Sequence, residues 1–82
     1  MNYAIYKQTG DCKAYIVHRF FQQSFQHRAK AAAVQKLDDM WRTILRKPNL
    51  YKNASGSKNE ISYDYMTSVN TTERIRFYIA KM

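Results

Sequence analysis

One cysteine, one proline and two glycines are scattered through 82 residues, and each scarcity excludes a class of protein. With Cys12 alone no intrachain disulfide can form, so the chain is not a disulfide scaffold. A reducing compartment, the cytoplasm, is the expected location. So little glycine and proline rules out collagen-like and low-complexity chains. No apolar run approaches the roughly 20 residues that cross a bilayer, so no membrane partner is expected. The start Met1-Asn2-Tyr3-Ala4 has neither the basic n-region nor the apolar h-region of a secretory signal.

Acidic side chains are also few: six, against 14 lysines and arginines, for a formal charge of +8. A field of that sign on so small a surface attracts polyanions or acidic protein faces and says nothing about fold. What is present in quantity is apolar, 45% of the chain with 15% aromatic, too rich for disorder. Eighty-two residues fit one small basic domain, in which a fold of this size buries only about 60% of its unfolded surface.

Periodicity supplies the elements. Residues 3–21 read as an N-terminal hairpin, its turn at Thr9-Gly10-Asp11 with Gly10 available for positive φ. In its second strand Cys12, Ala14, Ile16 and Phe20 alternate with Lys13, Tyr15, Val17 and Arg19, so the first set is expected on a core. Residues 24–47 predict a long amphipathic helix. Ser24 is the expected N-cap, Ala33, Leu37, Met40, Trp41 and Ile44 form an apolar stripe, and Asp38 and Arg42 stand at the favoured i,i+4 spacing. Pro48 disfavours helical geometry at Lys47 and closes the element.

Residues 48–59 are polar, carry Gly56 and lack periodicity, which predicts a surface loop bearing Lys52 and Lys58. Residues 60–81 predict a second hairpin: Ile61, Tyr63 and Tyr65 alternate with Ser62, Asp64 and Met66. Beyond a turn at Asn70-Thr71, Ile75, Phe77 and Ile79 alternate with Arg74, Arg76 and Tyr78. The expected fold is α+β in the order ββαββ, a four-stranded antiparallel sheet with one long helix packed on one face. The helix stripe should meet Ile16, Ile61, Tyr63, Ile75, Phe77 and Ile79, which leaves the other sheet face open.

That open face carries the functional expectation. Strand parity sends Lys13, Tyr15, Arg19, Arg74, Arg76 and Tyr78 outward together. Cations interleaved with tyrosines suit nucleic acid, RNA or single-stranded DNA before duplex, because cations neutralise phosphates and rings stack on bases. Arg42, Arg46, Lys47, Lys52 and Lys58 extend a basic stretch from the helix end into the loop.

The expected function is a non-enzymatic binding module for a negatively charged macromolecule. The alternative is a small inhibitor or adapter of the phage or mobile-element type, docking on a host complex such as a defence nuclease or polymerase, where positive charge sets the on-rate. A third expectation is a metal-independent ribonuclease using His18, His27, Arg28 and Lys30. Neither a metal pattern nor a cofactor motif is present: one cysteine and two histidines match no zinc spacing, and no glycine-rich phosphate loop occurs. Phe20, Phe21, Phe25, Leu50 and Tyr51 exceed what one helix on four strands can cover, so a homodimer through the sheet face or residues 20–25 is a further expectation.

Overall fold

The computed structural model describes residues 2–22 and 28–82. Among these residues five strands and one helix follow in the order β1 (Tyr3–Thr9), β2 (Tyr15–Phe20), α1 (Ala29–Leu45), β3 (Tyr51–Gly56), β4 (Glu60–Ser68) and β5 (Thr71–Lys81). The sheet is antiparallel throughout, ordered β2-β1-β5-β4-β3, so the first and last segments of the chain pair at its centre. The α+β architecture agrees with the sequence. The strand count is five, where four are expected.

The added strand is β3, inside the expected 48–59 loop. Its two inward residues, Tyr51 and Ala54, are three positions apart because a bulge falls between Lys52 and Ser55. Asn53 takes the left-handed conformation there, with φ 53°, and asparagine tolerates it better than most residues. A bulge adds one residue to one strand and breaks the two-residue alternation by which strands are recognised. The polar composition of Lys52, Asn53 and Ser55 suits an edge strand, with ladder bonds from β4 supplying the order.

A second bulge, between Ile5 and Tyr6, shifts the β1–β2 ladder and changes which β2 residues face the core. Val17, expected outward, packs on the core beside Phe20. Ile16, expected inward, lies opposite Tyr6, and residues opposite each other in a ladder share a face. Cys12 and Ala14 precede the strand, and Cys12 is exposed. The turn before them forms as expected: Gly10 has φ 54°, and its N–H donates to the Arg74 carbonyl at 2.7 Å.

The helix lies within the expected 24–47 span. Arg28 stands at its N-cap with extended backbone and no side-chain cap bond; the expected cap, Ser24, lies outside the described residues. At the other end, the Lys47 N–H donates to the Ile44 carbonyl at 3.1 Å before Pro48. Ala29, Ala33, Leu37 and Ile44 are buried, with Met40 and Trp41 packed beside them. This stripe meets Ile5, Ile61, Tyr63, Ile75 and Phe77. Each fully buried Leu or Ile side chain stabilises such a core by about 1.5–3 kcal/mol, and Ile5, Leu37 and Ile61 are the largest. Among the described residues, Phe21 remains half exposed and Leu50 half buried.

Candidate nucleic-acid interface

The helix covers one sheet face; side chains of the opposite register line the other. On β5 these are Thr72, Arg74, Arg76, Tyr78 and Ala80, because Ile75, Phe77 and Ile79 turn to the core. Ladder pairing brings Ser62, Asp64 and Glu60 from β4 to one side of them and Tyr6 and Gln8 from β1 to the other. Lys52 enters opposite Asp64, and Arg19 opposite Ala4. Two connected groups result.

The first is aromatic and cationic. Tyr6 and Tyr78 stack with centroids 5.3 Å apart and ring planes 11° from parallel, and the Arg76 guanidinium carbon lies 4.4 Å from the Tyr78 ring centre. Such a cation–ring contact contributes about 0.5–1 kcal/mol at an exposed site. Arg76 Nε also donates to Glu60. Its two terminal nitrogens have no partner among the described residues, so they remain available to an anion.

The second group is polar. Arg74 Nη1 donates to Asp64 Oδ1 at 3.1 Å and to the Asn53 carbonyl at 3.0 Å, while Nη2 donates to Ser62 Oγ at 2.8 Å. Asn53 Nδ2 donates to the other Asp64 oxygen at 2.8 Å. The Asn53 bond first, and Arg74 after it, hold the Asp64 carboxyl below its ordinary range. Arg74 is thus a strut fixing the β3 bulge to β4 and β5.

Of the residues expected at the interface, Arg19, Lys52, Arg74, Arg76 and Tyr78 share this face. Tyr15 does not: it pairs with Lys7, whose ammonium lies over the core-facing Phe77 ring, so it belongs to the helix side. Lys13 lies in the connection before β2. Arg42 pairs with Asp38 on the helix at 3.1 Å, and Arg46 and Lys47 follow at the helix end. The basic stretch from helix to loop is divided. Lys52 joins the sheet face, whereas Lys58 stands at the far turn of the β3–β4 hairpin, near the helix start.

Sequence reasoning missed Tyr6 and Glu60. Tyr6 alternates with Ile5 and Lys7, so the period of β1 carried its signal; Glu60 alternates with Ile61 in the same way. The two carboxylates temper the face: Arg19, Lys52, Arg74 and Arg76 less Glu60 and Asp64 leave +2.

His18 lies on the outer edge strand, opposite the core residue Ile5 and on the helix side. Burial, then the charge of Lys36, lower its pKa from the ordinary value. His27 lies outside the described residues. No cluster of three or more His, Cys, Asp or Glu among the described residues is placed to hold a metal ion. No helix among them is long and apolar enough to cross a membrane. No family model matches the chain, and no curated protein or solved structure does.

Proposed function

We propose that the protein is a non-enzymatic module that binds single-stranded nucleic acid, RNA or DNA, on its open sheet face. The observation that carries this reading is the Tyr6–Tyr78–Arg76 stack on an uncovered face. Base stacking on aromatic side chains is worth ~1–3 kcal/mol per base and tolerates any sequence. Phosphates are held by Arg76 and Arg74, flanked by Arg19 and Lys52. Ion pairs as exposed as those of Arg74 and Arg76 stabilise only weakly, so an incoming phosphate can displace a carboxylate from either arginine. Asp64 and Glu60 then serve to orient the guanidinium groups before binding.

The test is fluorescence anisotropy with short single- and double-stranded DNA and RNA at about 50 and 200 mM salt. Saturable binding that favours single strands and weakens steeply with salt is expected. Binding that is absent at the lower salt, or insensitive to it, overturns the reading.

A different feature favours a protein partner. Beyond Ile75 the β4–β5 hairpin has left β1 behind and runs out to a turn where Val69 is 90% exposed among serine, threonine and asparagine. A polar arm tipped by one aliphatic side chain and carrying Glu73 suits a small apolar socket on a protein better than a phosphate backbone. An inhibitor or adapter of this kind is captured with one stoichiometric partner from nuclease-treated lysate, and deleting the Val69 side chain releases that partner.

A further inference from the structure

Among the described residues the carboxylates decide which cations are free. Asp38, Glu60 and Asp64 engage Arg42, Arg76 and Arg74. The side chains of Arg28, Lys30 and Lys58 have no such partner, and all three line one cleft between the start of α1 and the β3–β4 turn. Val34, Gln35 and Lys58 are common to this cleft and an adjoining cavity of ≈ 370 Å³, walled by Leu37, Trp41 and Ile61. Asp38 also reaches that cavity, with its charge held by Arg42. A recess of this size falls in the range of small-ligand sites. Its two ends differ in character, cationic toward the helix start and apolar toward the indole.

We propose that this cleft is a separate binding site for a nucleoside polyphosphate. The phosphates lie among Arg28, Lys30 and Lys58, and the base lies against the apolar wall of Val34 and Trp41. The phosphate end gains charge-assisted hydrogen bonds from three cations that need not first release a carboxylate. The site is formed by the helix side of the molecule, so it stands independently of the reading given to the open sheet face.

Trp41 is the sole tryptophan of the chain, so its fluorescence reports on this cleft directly. The 82-residue chain is titrated with ATP, tripolyphosphate and adenosine, without added metal, by inner-filter-corrected tryptophan fluorescence and by calorimetry. ATP is expected to bind saturably, to shift the Trp41 signal, and to bind more tightly than tripolyphosphate or adenosine. Lys30→Gln with Lys58→Gln should weaken ATP about tenfold, whereas Arg46→Gln with Lys47→Gln, at the opposite end of α1, removes the same charge and should leave it unchanged. Both pairs are at exposed positions, and an unchanged far-UV spectrum checks that each variant folds. Equal binding of tripolyphosphate and ATP overturns the proposal, because the base then contributes nothing. So does ATP binding that the helix-end pair weakens equally, or no binding by either method.

Discussion

The Arg76 guanidinium lies 4.4 Å from the Tyr78 ring centre while its Nε donates to the Glu60 carboxylate across the β4–β5 ladder. Glu60 therefore steers Arg76 and also opposes any phosphate that approaches it. The two effects differ in range. Steering needs only a hydrogen-bond acceptor, whereas repulsion needs the charge. Glu60→Gln keeps an acceptor and removes the charge, so it should raise nucleic-acid affinity by about two- to fivefold at low salt, with the gain shrinking as salt screens it. Anisotropy at two ionic strengths reads both. An affinity that falls would mean the carboxylate itself completes the site.

Removing the cation has the opposite sign. Arg76→Ala should weaken binding on every sequence and lower the salt slope by ~0.7–0.9, the share of one phosphate contact. Tyr78→Ala removes a ring that touches both Tyr6 and Arg76, and should cost about 1–3 kcal/mol with little change in slope. If the two variants change the slope equally, stacking and phosphate contact are not separate contributions on this face.

Gly56 permits the close approach of the β3–β4 turn to the helix. A Cβ placed on it would stand 3.1 Å from three carbons of the Trp41 six-membered ring, inside the 3.5–4.0 Å of ordinary carbon contacts. Gly56→Ala is expected to destabilise the fold by about 1 kcal/mol through overpacking, lowering Tm by about 4–8 °C. Trp41→Phe in the same chain should recover part of that loss, which thermal melts of the two single variants and the double variant would measure.

The helix stripe, the β4–β5 alternation and the positive φ at Gly10 were legible because each follows an uninterrupted period or a residue with one special conformation. Ala33, Leu37, Met40, Trp41 and Ile44 follow the helical repeat and all reach the core or its margin. Both errors in the sheet have one cause. The bulges at Lys52/Ser55 and Ile5/Tyr6 each add a residue to one strand, and neither is marked by a glycine. In β3 the shift hides a strand, and in β2 it moves Tyr15 to the helix side and Val17 to the core. Five of the expected interface residues survive, three of them on β5, whose alternation is unbroken from Arg74 to Tyr78. The Asp64–Arg74 and Glu60–Arg76 pairs needed the strand register, which composition does not contain.

Asp64 should titrate with the local fold. Its folded-state pKa is depressed, chiefly by the Asn53 hydrogen bond and then by Arg74. A depressed carboxyl contributes stability that is fully present above its unfolded pKa, near 4, and is lost as pH falls through the folded value. Asn53→Ala should raise the Asp64 pKa, visible by carboxyl NMR, and should flatten the acid limb of the stability curve. Because Asn53 is left-handed, Asn53→Gly separates the causes: it removes the same hydrogen bond without backbone strain. An Asp64 pKa that stays depressed in both variants would assign the shift to Arg74 instead.

Tyr63 sets the alkaline limit. It is buried in the core between the Tyr51 ring, edge-on at 4.8 Å, and Phe77 at 6.3 Å. Burial first, then Tyr51 and Tyr65, push its pKa up from 10.0 to about 12. The sign follows from which state ionises more easily. Between the unfolded value and the folded one, only the unfolded chain releases the phenolic proton. The stabilisation is therefore intact below about pH 10 and is lost as pH rises toward 12. Tyrosinate absorbance should show one of the seven tyrosines titrating late or only on unfolding, and Tyr63→Phe should abolish that late step. The same variant should hold its stability to higher pH than the parent, since the core then contains no group at that position to ionise. A late step that persists in Tyr63→Phe would move the alkaline limit to another tyrosine of the cluster.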